Sequence, residues 1–243
     1  MHMIKMPAMF FSTGRKLVVG VLTVLALLVT PTVATPAGQI VIYGSHKGST
    51  LTLSTKGSKI IVKGRMAHHR PIGCRLKHHR LVAVCPTRNA SRMEVDMGPS
   101  GDFVKVAERL PMSLTVHLGA GSDKFIGNGE RDICYSEGSR RNRCIGGPNN
   151  DICITGNRNS DCVGGPGNDY CHHGDGSDGC WGGPGNDICI MGPGQDGCHG
   201  GPGNDRLYGG ASPDQLYGGR GDDYCNGQRG WGKSHACDAG PRR

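Results

Sequence analysis

The chain has 243 residues, 42 of them Gly and only 5% aromatic, which excludes a large globular core of bulky side chains. Twelve Cys argue against plain disorder, and their even number suits full pairing. The formal charge of +8 is unevenly spread, with +3 over residues 1–37, +9 over 38–118 and −4 over 119–243, so a basic part that invites anionic polymers precedes an acidic part that invites cations.

At the N-terminus, Lys5, Arg15 and Lys16 precede a nearly pure apolar run from Leu17 to Val29. The run is shorter than the roughly 18–20 residues that cross a bilayer. Small residues follow at Thr32-Val33-Ala34 and Thr35-Pro36-Ala37. Residues 1–37 therefore read as a cleaved export signal ending at Ala34 or Ala37. No second such run follows, so the mature chain is expected to have no membrane span. Export places the cysteines where disulfides persist.

Residues 38–118 alternate in hydrophobicity. QIVIYG, STLTLS, SKIIVKG and RLVAVC have the period of short strands. MEVDMGPSGDFVKV and LTVHLGAGSDKFI share a layout of strand, Gly-rich turn, Asp and strand, with Asp102 and Asp123 in equivalent places. This region is expected to form degenerate coils of the same solenoid as the second half, or a β cap on its end. Cys74 and Cys85 flank a hairpin-like segment and are expected to pair. The same segment holds His68-His69-Arg70 and His78-His79-Arg80. Its readings are a solvated loop, an anion-binding patch, or a metal-binding His cluster.

From residue 119 the sequence is repetitive. Gly146–Ile154 reads GGPNNDICI, Gly164–His172 GGPGNDYCH, Gly182–Ile190 GGPGNDICI, Gly200–Tyr208 GGPGNDRLY and Gly218–Asn226 GGRGDDYCN. Weaker units, TGNRNSDCV, HGDGSDGCW, MGPGQDGCH and GGASPDQLY, lie between them. Upstream, GAGSDKF and GNGERDIC place Asp123 and Asp132 in the same pattern. Over residues 119–226 this pattern resembles the hemolysin-type (RTX) calcium-binding repeat, G-G-x-G-x-D-x-U-x. The resemblance implies an all-β fold, a right-handed parallel β-roll. Each unit would be a turn followed by a short strand, with two units to a coil. Residues 227–243 would form a C-terminal cap or tail.

The resemblance also implies several bound Ca2+ ions. On one edge Asp151, Asp169, Asp187, Asp205 and Asp223 recur every 18 residues. Gly146, Gly147, Gly164, Gly165, Gly182, Gly183, Gly200, Gly201, Gly218 and Gly219 open these turns. Gly167, Gly185, Gly203 and Gly221 hold the fourth position, where the first turn has Asn149 instead. Glycines permit positive φ, which lets turn carbonyls converge, and calcium takes six to eight oxygen ligands. The other edge carries Asp178, Asp196 and Asp214, has Ser160 where Asp is expected, and is interrupted by His173, Met191 and Pro213. The first edge is thus expected to be well filled with calcium and the second partly filled.

The inward-facing U position holds Cys134, Cys144, Cys153, Cys162, Cys171, Cys180, Cys189, Cys198 and Cys225, with Leu207 and Leu216 as exceptions. Two adjacent cysteines missing together suggest a lost pair. That phase predicts Cys153–Cys162, Cys171–Cys180 and Cys189–Cys198, with Cys134–Cys144 before and Cys225–Cys237 after. Pairing along one sheet, as Cys153 with Cys171, and unpaired cysteine as apolar filler are the alternatives. Nine-residue spacing lacks the clusters of zinc sites.

No HExxH, GxSxG or Walker loop is present, so no enzyme is expected. Arg220-Gly221-Asp222 spells an adhesion tripeptide but fills the free positions of a repeat turn. Asn89-Ala90-Ser91 fits a glycosylation acceptor, although RTX repeats point to a bacterium. Two features depart from the family: the N-terminal rather than C-terminal export signal, and cysteine in the core slots. The resulting expectation is an extracellular or cell-envelope calcium-binding β-roll with a structural or adhesive role. The rivals are a protein that docks an anionic cell-surface polymer through residues 38–118, and an unrecognised secreted hydrolase. No nucleic-acid partner is expected.

Overall fold

In the computed structural model, residues 38–67, 71–77, 81–138, 140–227 and 237 are described. The expected export signal, both His-His-Arg tripeptides and most of residues 227–243 lie outside the described residues. The described residues form one compact unit.

Alternation of apolar and polar residues produces β1 (Gln39–Tyr43), β2 (Thr50–Thr55), β3 (Lys59–Gly64), β4 (Arg75–Lys77), β5 (Val82–Pro86), β6 (Arg92–Asp96) and β7 (Phe103–Val106). Then follow β8 (Ser113–His117), β9 (Lys124–Ile126), β10 (Asp132–Ser136), β11 (Arg143–Ile145), β12 (Ile152–Thr155), β13 (Asp161–Val163) and β14 (Tyr170–His172). The last are β15 (Gly179–Trp181), β16 (Ile188–Ile190), β17 (Gly197–Pro202), β18 (Arg206–Tyr208), β19 (Gln215–Arg220) and β20 (Tyr224–Asn226). No helix occurs among the described residues, and none is long and apolar enough to cross a membrane.

Each Gly-rich turn ends one strand and sends the chain to the facing sheet. Strands therefore pair with those two places away in sequence. One sheet has the order β1-β6-β8-β10-β12-β14-β16-β18-β20 and is parallel throughout. The other runs β19-β17-β15-β13-β11-β9-β7-β2-β3-β5-β4. It is parallel as far as β2, and β3, β5 and β4 extend it antiparallel. The fold is a parallel β-solenoid, and its coils begin well before the repeats become regular. Region 38–118 supplies both degenerate coils and the antiparallel end.

The core changes character along the axis. Early coils bury Leu, Ile, Val and Met, up to Phe125. From Cys134 the slot narrows to cysteine. Cys134, Cys153, Cys171 and Cys189 stack in register on one sheet, and Cys144, Cys162, Cys180 and Cys198 on the other. Small core residues let the sheets approach until facing Cα atoms of bonded pairs lie 6.3–6.6 Å apart, well inside the usual sheet-packing distance of about 10 Å.

Cys74–Cys85, Cys134–Cys144 and Cys225–Cys237 pair as expected from the sequence. The remaining cross-roll pairs are corrected: the bonds are Cys162–Cys171 and Cys180–Cys189, leaving Cys153 and Cys198 as buried thiols. From Cys153 to Cys189 each core sulfur stands between one facing cysteine nine residues before it and another nine after. The sulfurs of Cys180, Cys189 and Cys198 all lie within 4.8 Å of one another. Local geometry thus permits both phases, and the missing pair at Leu207 and Leu216 does not select between them.

Stacking also dictates where glycine is required. Gly185 has φ +143°, and a Cβ there would overlap the Gly167 carbonyl oxygen, whereas a Cβ on Gly197 would meet nothing within 4 Å. Gly185→Ala is expected to destabilise the calcium-loaded roll by more than about 2 kcal/mol, and Gly197→Ala to change it by less than about 0.5 kcal/mol. Denaturant unfolding in millimolar calcium distinguishes the two. Equal effects would contradict the stacking argument.

Candidate metal centre

The turns at each edge of the roll are joined by a ladder of aspartates. On the first edge the backbone N–H of Asp132 donates to Oδ1 of Asp151, and Asp151, Asp169, Asp187 and Asp205 each donate to the aspartate of the following coil, at 2.7–2.9 Å. The last acceptor is Asp223. On the second edge the same bond links Ser160 to Asp178, Asp178 to Asp196 and Asp196 to Asp214, at 2.6–3.1 Å.

One oxygen of each accepting carboxylate is thereby used, whereas Asp132, at the start of its ladder, has both oxygens buried without a partner. Oδ2 is buried and has no hydrogen-bond partner in Asp123, Asp132, Asp151, Asp169, Asp178, Asp187, Asp196, Asp205, Asp214 and Asp223. Buried polar atoms in folded proteins nearly always have partners, so rows of orphaned acceptors demand one. Burial is the main cause that raises the carboxyl pKa of Asp151, Asp169, Asp187 and Asp196 to about 7. Asp132 rises to about 8, through burial and then the charge of Asp151. Asp123 and Asp178 rise to about 6, and Asp205 and Asp214 are also raised, again mainly by burial.

The glycines shape the same cradle. A Cβ at the first turn position would overlap Oδ2 of the repeat's own aspartate: Gly146 with Asp151, Gly164 with Asp169, Gly182 with Asp187, Gly200 with Asp205 and Gly218 with Asp223. Second-position glycines 147, 165, 183, 201 and 219 have φ of +111° to +122°. At the fourth position Gly167, Gly185, Gly203 and Gly221 each lie against the carbonyl of the preceding rung, which stacks these carbonyls in a column. Rows of buried carboxylates beside turn carbonyls are an all-oxygen donor set, which suits a hard cation such as calcium.

The two edges differ in construction. At the first turn position the second edge carries Thr155, His173 and Met191 before regaining Gly209. His173 and Met191 are buried. His173 bonds Thr155 through Nδ1 at 2.8 Å, and its pKa falls to about 4, chiefly through burial. Real side chains therefore stand where the first edge keeps free space around the carboxylate.

Several rungs escape a strict repeat search. The second edge continues upstream: Asp102 donates to Asp123 at 2.7 Å, Asp123 to Oδ1 of Asn142 at 2.8 Å, and Ser49 to Asp102. Asp102 also has an orphaned Oδ2, and burial raises its pKa to about 6. A further ladder runs at the fifth turn position, where side-chain oxygens of Asn150, Asn168, Asn186 and Asn204 accept backbone N–H groups of the next coil at 2.7–2.9 Å. The recurrence of Asn before Asp in four repeats is the signal for it, although the repeat pattern leaves that position free.

The family model for the RTX calcium-binding nonapeptide repeat, four copies, matches residues 199–230. The matched segment contains Asp205, Asp214 and Asp223, and the same ladders continue from it through the earlier coils. No curated protein and no solved structure matches the chain.

The raised pKa values carry a sign. A carboxyl whose folded pKa lies above its ordinary value of 3.8 stabilises the fold fully below about pH 4 and loses that contribution as pH rises through the folded value. In chelator, the melting temperature is therefore expected to fall between about pH 4 and pH 8, and saturating calcium is expected to abolish the fall. At pH 8, Asp187→Asn is expected to raise the melting temperature in chelator, by removing a buried charge, and to weaken the response to calcium about tenfold. A wild-type profile in chelator that rises toward pH 8 would contradict this assignment.

Proposed function

We propose that this chain, which carries RTX calcium-binding nonapeptide repeats, is an extracellular structural or adhesive element. In this reading its fold is completed by calcium and fastened by disulfides. The observation that carries the reading is the double row of buried aspartate oxygens without partners. Such rows repel one another unless protonated or bridged by a cation. A cation site that exists only in the folded chain makes binding free energy part of folding free energy. The first edge, with glycine beside every repeat aspartate from Asp151 to Asp223, is the better calcium ladder. The second edge takes fewer ions, because His173 and Met191 crowd it. The cysteine column supplies covalent ties across a core too thin for bulky side chains. No catalytic step belongs to this reading.

A second reading is docking of an anionic polymer by the basic region, with the roll as a stalk. One observation favours it: the five strands β4, β5, β3, β2 and β7 contain five Lys or Arg and no Asp or Glu.

Calcium titration followed by circular dichroism, with and without a thiol reductant, tests the first reading. Both samples are expected to gain β-sheet signal with calcium. The reduced chain is expected to need more calcium, because cross-links restrict the unfolded state. A reduced chain with the full signal in chelator would overturn the reading.

A further inference from the structure

The cationic strands of the eleven-stranded sheet place their charges in a regular row. Lys77 pairs in register with Val82, Val82 with Lys63, Lys63 with Thr52, and Thr52 with Lys105. The row runs across the strands on the outer face of the sheet, because Ile60, Val62, Leu51, Leu53, Ala83 and Val104 occupy the alternate, buried positions. Lys63, Lys77 and Lys105 are all exposed. Neighbouring strands lie about 4.8 Å apart, so successive lysines in the row are about 9.6 Å apart, with one uncharged residue between each pair. Beyond Lys105 the row becomes apolar at Ile126, which sets the limit of the charged footprint. The facing sheet has opposite character in this region, with Glu94 and Asp96 close to His117 on its surface.

We infer that this row is a binding site for an acidic polysaccharide that lies extended across the strands. The inference rests on the second reading above and names both the site and the polymer class. An extended polysaccharide advances about one strand spacing per sugar, so an anionic group on every second sugar meets successive lysines. The uncharged sugars between them lie over Val82 and Thr52. Lysine suits this task as a flexible point charge, without the planar fork of arginine. The face is poorly built for single-stranded nucleic acid, whose binders offer aromatic stacking platforms. The ring in this patch, Phe103, is covered by the Lys124 ammonium, 5.5 Å from its centroid. Beside the row, Leu81 next to Val82 is exposed, but a single such side chain falls short of the Trp, Phe and Leu face that enters a membrane interface.

The test uses the full oxidised chain in millimolar calcium, with immobilised hyaluronan, which carries a carboxylate on every second sugar, and heparin as probes. Wild type is expected to be retained and to elute as salt rises. The triple variant Lys63→Glu, Lys77→Glu, Lys105→Glu is expected to bind about tenfold more weakly or worse. A charge-matched control, Arg88→Glu, Arg140→Glu, Arg206→Glu, should stay within about twofold of wild type. Circular dichroism in calcium confirms that each variant folds. Retention of wild type with equal retention of the lysine variant would overturn the row while leaving the second reading standing. No retention of wild type on either polymer would overturn that reading itself. Row-dependent binding to anionic phospholipid vesicles or single-stranded DNA, without binding to either polysaccharide, would overturn the polymer class.

Discussion

The structure depends on how a buried carboxylate is satisfied. From Asp151 onward on the first edge, each repeat aspartate spends one oxygen on the backbone of the preceding coil, and the bond sets the register between coils. The second oxygen is then held inside the turn, beside a glycine that leaves it room. The same side chain that orders the stack therefore creates the charge that threatens it. A bound cation resolves the conflict by supplying what the protein lacks, which is why the ladder and the ion belong to one design.

This constraint explains the composition. Glycine is abundant because carbonyls, carboxylates and Cα atoms of successive coils crowd one another at the edges. The core carries little of the stability that bulky side chains supply elsewhere, since most strands in the regular half bury a single side chain. Cysteine fits that narrow slot as a small apolar residue and also ties facing sheets together. Toward the N-terminus Leu, Ile, Val and Phe125 return to the core, and the edge ladders thin to Asp123, Asp102 and Ser49 on one side. The two supports change places along the axis, with apolar packing strongest where the acidic turns are fewest.

Much of this was legible in the sequence. The spacing of Asp151, Asp169, Asp187, Asp205 and Asp223 specifies both the coil length and the edge, and period-two alternation located the early strands. Loss of glycine at His173 and Met191 marked the second edge as different. The disulfide phase was not legible, because facing cysteines nine residues apart are equivalent in both directions along the column. The shared layout around Asp102 and Asp123 placed them in equivalent positions despite a spacing of 21 residues, but Ser49 as the next rung and the lysine row, which depends on antiparallel registers, are announced by no periodicity.

The most direct test is anomalous scattering from crystals grown in millimolar calcium. Calcium peaks are expected between successive aspartates of the first edge, from Asp151 to Asp223, with fewer on the second. A well-ordered roll whose turns hold only water or protonated carboxyl pairs at pH 7.5 would contradict this expectation.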